Sequence, residues 1–277
     1  MSQHYHGHAH IHTASSSGQV ADPHAHEHAD PFFPNPNEIV VPEVAAAHTH
    51  AEANRAHYDA NARNYDKIEM ANELAGKSAA AMRRVWVFDE ERTECLDYAC
   101  GTGLLSRQLA PYCKSILGVD ISQGMVDYYN ERVSNQGIPA SEMHAIRADL
   151  LTPPPAPELA HTTFDVVVCS QAYHHIHDLA GTTAALAALL RPGGALLVVD
   201  LLRSEQALHM HTRKDVPEHV RHTVAHKGGL EEDEVRTCFE RAGLAEWAFE
   251  DALVKEVEGR VLKLFIAKGV KPREAEP

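Results

Sequence analysis

The sequence predicts an α/β fold built on a doubly wound, mostly parallel sheet of seven strands. Three observations carry that expectation. From residue 94 to residue 202, short apolar runs alternate with segments of helical periodicity, the pattern of parallel strands joined through crossover helices. The first run ends in a glycine loop, Cys100-Gly101-Thr102-Gly103, and the second ends in an acid, Asp120. The last two apolar runs are separated only by Glu258-Gly259-Arg260, which reads as an antiparallel hairpin.

The elements follow in order. One helical region is expected from about Ala51 to Phe88, carrying His57-Tyr58-Asp59 and Tyr65-Asp66. Glu94 to Ala99 reads as the first strand, Leu104 to Leu109 as a short helix, and Ser115 to Ile121 as the second strand. Ser122 is a good N-cap for a helix whose Met125, Val126, Tyr129 and Val133 recur every three or four residues until Gly137 and Pro139. Met143 to Leu150 reads as a third strand, and Pro153-Pro154-Pro155 breaks the chain after it. Phe164 to Ser170 is apolar and β-branched enough for a strand buried on both faces. A helix from about Leu179 to Leu190 stops at Arg191-Pro192-Gly193-Gly194, and Ala195 to Leu202 is the next strand. A cap with no clean period is expected over about 204–229. Acidic residues Glu231 to Glu234 then open a helix at the end its dipole favours, before strands Ala245 to Val257 and Val261 to Lys268.

Composition bounds the function. The chain has 277 residues, enough for one large domain and an appendage. With 39 acidic against 25 basic residues its net charge is -14 with histidine neutral, which opposes nucleic acid as a partner. No apolar run reaches the ~20 residues of a membrane helix, since Arg191 to Gly194 and Asp200 interrupt the richest stretch. The five cysteines form no CxxC pair, so a disulfide framework is not expected and a reducing, cytoplasmic setting is. Residues 1–50 are a different material, with histidines at alternate positions from His4 to His12, a second group at His24, His26 and His28, and Pro31-Phe32-Phe33-Pro34. No Lys or Arg precedes Arg55, which argues against a secretory or transit signal. This stretch is expected to be a disordered His/Pro-rich tail; no fixed ligand spacing defines a metal site in it. The globular unit is expected over 51–270, followed by a flexible 271–277.

The chemistry gathers around the glycine loop. Leu96-Asp97-Tyr98-Ala99-Cys100-Gly101-Thr102-Gly103-Leu104 joins a strand to a helix, and its glycines let a ligand approach the backbone. Asp120, closing the second strand, suits the two hydroxyls of a ribose. A dinucleotide fingerprint would want a third glycine where Ser106 stands, and that weakens a dehydrogenase reading.

These segments, with Gly118-Val119-Asp120-Ile121-Ser122, Ala148-Asp149-Leu150, Phe164-Asp165-Val166-Val167-Val168-Cys169-Ser170 and Leu190-Arg191-Pro192-Gly193-Gly194, resemble the class I S-adenosylmethionine-dependent methyltransferases over about Tyr58 to Lys268. Tyr65-Asp66 looks like the cofactor-covering helix of the ubiquinone-type branch, and Ala99 departs from a common glycine. The resemblance implies a Rossmann-like sheet and S-adenosylmethionine as cofactor, S-adenosylhomocysteine as product, and no metal requirement. It implies that Gly101 and Gly103 flank the methionine portion, Asp97 meets its ammonium, Asp120 takes the ribose, and Asp149 with Leu150 takes adenine. Ile121 and Met125 would wall the purine, although Met125 serves equally as a core residue. Tyr65, Ala99 and Ser170 complete the expected cofactor set.

Transfer is expected to a small organic O, N or S nucleophile, and an acceptor that begins protonated needs a base, for which histidine suits. His175 and His226 lead as candidates, with His174 beside them in Tyr173-His174-His175-Ile176-His177. The alternative is a regulatory S-adenosylmethionine-binding protein whose histidine-rich tail recruits a metal or a partner.

Overall fold

The computed structural model describes residues 49–214, 216–257 and 259–273. The expected tail, 1–50, therefore lies outside the described residues except for Thr49 and His50. Thr49 caps the first helix in a reciprocal capping box with Glu52. That helix, α1 (His50–Tyr65), and α2 (Glu69–Val85) replace the single expected helix. The break falls at Asp66 to Ile68, where the Asp66 carboxylate is pulled onto Thr102 of the glycine loop and onto Arg132.

The seven strands are β1 (Glu94–Tyr98), β2 (Ser115–Asp120), β3 (Met143–Arg147), β4 (Phe164–Ser170), β5 (Leu190–Leu201), β6 (Ala245–Val257) and β7 (Arg260–Val270). They form one sheet in the order β3-β2-β1-β4-β5-β7-β6. Strands β1 to β5 pair in parallel and β7 runs antiparallel between β5 and β6, so the expected doubly wound sheet with a closing hairpin is present. Strand order reverses between β1 and β4, the crevice where such sheets bind ligands.

Helices α3 (Leu104–Leu109), α4 (Gln123–Asn135), α5 (Leu179–Ala188) and α8 (Glu232–Arg241) complete the layers, while α6 (Glu205–Thr212) and α7 (Val220–Thr223) occupy the expected cap. One apolar cluster fills the side facing α2 and α4, with Met82, Leu109, Tyr129 and Val166 buried in it. A second, with Leu96, Tyr173, Leu186 and Phe239, fills the side facing α5 and α8. Strand β3 ends earlier than expected, at Arg147. Strand β5 starts earlier, at Leu190, because Arg191 is held by Asp165 at 2.8 Å and by Glu94 beside β1 and β4. Lys271 continues the pairing through its backbone to Gly193 and Gly194, both at 2.8 Å, and residues 274–277 lie outside the described ones. No helix among the described residues is long and apolar enough to cross a membrane.

Helix α1 crosses the C-terminal ends of the parallel strands and is pinned there by polar contacts. Asp59 accepts from Ser122 Oγ at 2.7 Å and from the Gly124 backbone at 2.9 Å. Asn54 donates to Thr223 O of α7 at 2.9 Å. A Cβ on Gly124 would lie 2.6 Å from the Asp59 carbonyl oxygen. Backbone yields poorly, so Gly124→Ala is expected to cost about 1–3 kcal/mol, lowering the melting temperature by roughly 2–10 °C. Limited proteolysis of the variant should cut first in α1, and an unchanged melting temperature would show that the contact does not seat the helix.

Candidate active site

The crevice opens from the loop between β1 and α3. After Tyr98 the chain turns through Ala99 (φ 55°), Gly101 (φ 52°) and Gly103 (φ 82°), three left-handed conformations within five residues. Gly103 can be nothing larger, because a Cβ there would meet the Tyr129 ring at 2.7 Å. At Ala99 the positive φ explains why glycine is the common choice in the sequences this loop resembles. Asp120 ties the loop to the next strand: one carboxylate oxygen accepts from Gly101 N and the other from Ser122 N, each at 2.9 Å. Burial pushes Asp120 up to about 6, opposed by those backbone donors, and pushes Asp97 up to about 7 against a 2.5 Å hydrogen bond from Ser106 Oγ.

Two cavities meet above this loop. The outer one, of about 650 Å³, is lined by Tyr65, Ala99, Gly101, Asp120, Ile121, Met125, Asp149 and Ser170 of the expected set. The inner one, of about 200 Å³, adds Asp97 and the imidazoles of His57, His174, His175, His211 and His219. Tyr58, Tyr65, Ala99, Gly101, Ser170, Gln171 and His175 border both. Gly103 and Leu150 line neither cavity; Gly103 packs on Tyr129, and Leu151 lines the outer cavity beside Asp149. The outer cavity fits S-adenosylmethionine on this chain's own features. Its volume falls within the range of sites for molecules of that size, a Cβ on Gly101 would face open space, and the Asp120 carboxylate stands at its floor.

The histidines separate by partner. His174 is buried, and its Nδ1 lies 2.6 Å from Asp200, a fully buried carboxylate that also accepts from Leu201 N at 2.6 Å. A carboxylate partner fixes the proton on Nδ1 and leaves Nε2 as the basic nitrogen. His175 donates from Nδ1 to Thr223 O at 2.7 Å, and burial, with His174 beside it, holds it well below the usual imidazole range. His226 lines neither cavity: Nε2 bonds Ile176 O at 3.0 Å and its backbone donates to His174 O at 2.8 Å, fastening the cap to the loop after β4. Sequence reasoning did not find Asp200, Tyr58, Gln171, His57, His211 or His219. The signals for them were the His57-Tyr58-Asp59 run on the first helix and the His- and Arg-rich cap stretch that holds His211 and His219; Asp200 and Gln171 meet the site through the tertiary fold.

The crossover at β1 and β4, the glycine loop and the strand-end carboxylate mark a candidate nucleoside site on an α/β domain, with a second cavity adjoining it. Over part of its length the chain is similar to methyltransferases. Residues 96–198 match a methyltransferase domain family. An uncharacterised methyltransferase of Schizosaccharomyces pombe is 43% identical over 152 residues, covering 54% of this chain and 52% of that protein. A ubiquinone biosynthesis O-methyltransferase of Xylella fastidiosa is 32% identical over 109 residues, covering 39% of this chain and 42% of the relative. The chain thus spans about half or less of these curated relatives. Phosphoethanolamine N-methyltransferase 2 of Haemonchus contortus, solved with S-adenosyl-L-methionine, superposes with a TM-score of 0.55 at 17% identity over 71% of this chain and 52% of that one, a likeness of fold.

Asp120→Ala is expected to weaken S-adenosylhomocysteine binding by roughly 2–3 kcal/mol, the scale of charge-assisted hydrogen bonds. Ribose hydroxyls donate best to the ionised carboxylate, and the raised carboxyl group of Asp120 (about 6) is ionised mainly above that value. Affinity measured by calorimetry should therefore level off above about pH 7 and fall about tenfold per unit below pH 6. A flat profile from pH 5 to 8, or an unaltered variant, would remove Asp120 from the binding site.

Proposed function

We propose that the protein transfers the methyl group of S-adenosylmethionine to a small organic nucleophile held in the inner chamber, with His174 as general base and Asp200 as its partner. The observation that carries this is the pairing of His174, on the wall of the smaller cavity, with the buried Asp200 behind it, where that cavity adjoins the cofactor cleft. Bound cofactor supplies an electrophilic sulfonium methyl. What remains for the chain is to align the acceptor, exclude water and take a proton.

Tyr65, Gly101, Asp120 and Met125 would hold the cofactor in the outer cavity, its adenine end toward Asp149 and Ile121. The shared border at Tyr58, Ser170, Gln171 and His175 then receives the methyl, and α1 with the cap shields it from solvent. An acceptor O–H or S–H gives its proton to Nε2 of His174, forming an imidazolium whose Nδ1–H faces the Asp200 carboxylate at 2.6 Å. This base-and-orienter arrangement is the one used by activated nucleophiles generally. His175 suits the task less, because its Nδ1 faces a neutral carbonyl and a charge on it would adjoin His174. His226 serves as a structural fastener. The small acceptor, the metal-free reaction and the base assignment are all part of this reading, and the intact cofactor cleft favours an enzyme over a regulatory binder.

Replacing His174 with Ala should lower single-turnover methyl transfer roughly 100-fold or more, the contribution of a positioned base, with cofactor affinity within about twofold of the parent. Asp200→Asn should act in the same direction and alter the pH dependence of transfer, since it removes the charge facing the imidazolium. Radiolabelled methyl transfer checks both. Full turnover in the His174 variant would reduce catalysis to alignment alone.

A further inference from the structure

Helix α1 places a second imidazole in the inner chamber that the transfer step does not use. His57 is 5% exposed and lines the chamber, and its Nδ1 is a buried nitrogen with no hydrogen-bond partner. Buried polar atoms are almost always satisfied, so an orphan nitrogen on a side chain that lines a cavity leaves a hydrogen bond for a ligand to complete. The ring is held in place by His219 of the cap, stacked on it at 3.9 Å between centroids and 11° between planes. Two charged rings so stacked would repel, and burial lowers both, His57 to about 3 and His219 to about 4, which keeps them neutral.

The rest of the lining has the same electrical character. Burial lowers His211 to about 4; its Nδ1 donates to Lys227 O at 2.6 Å, leaving Nε2 as an acceptor. His175 keeps an acceptor nitrogen for the same reason. Gln171, on the border of both cavities, has a buried Nε2 without a partner, a donor for an acceptor's oxygen. No lysine, arginine or glutamate lines the chamber among the described residues, and its one aspartate, Asp97, is engaged by Ser106. An anionic acceptor would lose its hydration with no cation to replace it, and an ammonium would find neutral acceptor nitrogens but no carboxylate beyond the one already engaged by Ser106 to match its charge.

We propose that the inner chamber selects an electrically neutral, compact hydroxyl or thiol acceptor, and that Nδ1 of His57 hydrogen-bonds it from helix α1. This rests on the methyltransferase reading above and narrows it to a substrate class. The chamber's 200 Å³ lies below the roughly 300 Å³ at which sites for drug-sized ligands begin, which sets the size. It also gives α1 two tasks: the helix that covers the cofactor cleft reads the acceptor.

The test uses binding to the full chain. S-adenosylhomocysteine affinity is measured first, and its absence would overturn the methyltransferase reading and this proposal with it. The loaded protein is then titrated at pH 7.5 with phenol and benzyl mercaptan as neutral probes, and with 4-hydroxybenzoate and tyramine as charged counterparts. The neutral probes should bind at least tenfold tighter than the charged ones. His57→Phe keeps a ring on His219 and removes both nitrogens, so it should weaken the neutral probes about fivefold or more, the worth of one net hydrogen bond, while S-adenosylhomocysteine binds as before. Failure of every probe to bind, equal affinity for charged and neutral probes, or parent-like affinity in His57→Phe would each overturn the proposal.

Discussion

Everything at the site depends on one constraint: α1 must lie across the C-terminal ends of the strands, and two carboxylates hold it there. Asp59 takes Ser122 Oγ and the Gly124 backbone at the start of α4, and Asp66 takes Thr102 in the glycine loop together with Arg132 and, at 3.7 Å, Arg107. Without that clamp the crevice between β1 and β4 is an open groove at the C-terminal ends of the strands. With it, Tyr58 and Tyr65 wall both cavities and His57 reaches the inner one. The cofactor loop, the helix after β2 and the acceptor chamber are thereby mechanically one unit.

The electrostatics follow from enclosure. Asp97 and Asp120, buried with few donors, are raised, and the imidazoles of His57, His175, His211 and His219 are lowered. The same desolvation that keeps these rings neutral makes the paired His174 distinct, because Asp200 is the carboxylate placed to meet a proton arriving there. Low local dielectric strengthens every such interaction.

Much of the fold was legible because it is written in local pattern. The alternation of apolar runs with helices, the positive-φ loop and the hairpin around Gly259 each have a short-range signature, and each element exists in the structure. What local pattern missed was set by distant partners. The break between α1 and α2 is imposed by Asp66 reaching Thr102, 36 residues on, and the early start of β5 by Arg191 reaching Glu94, 97 residues back. The site divides in the same way. Ala99, Gly101 and Asp120 announce themselves through strand, glycine and acid in sequence, whereas Asp200 reads as the end of an apolar strand until His174, 26 residues earlier, is seen against it. The stack of His57 on His219 has no sequence signature at all.

Hydrogen exchange of the full chain with and without S-adenosylhomocysteine tests most directly whether α1 is the closing wall of the site. Amides of α1 from Asn54 to Asn64 should gain protection on ligand binding together with the glycine loop from Ala99 to Gly103, to a common extent and with a common dependence on ligand concentration. Protection confined to the loop and β2, with α1 exchanging as it does in the free protein, would contradict the account.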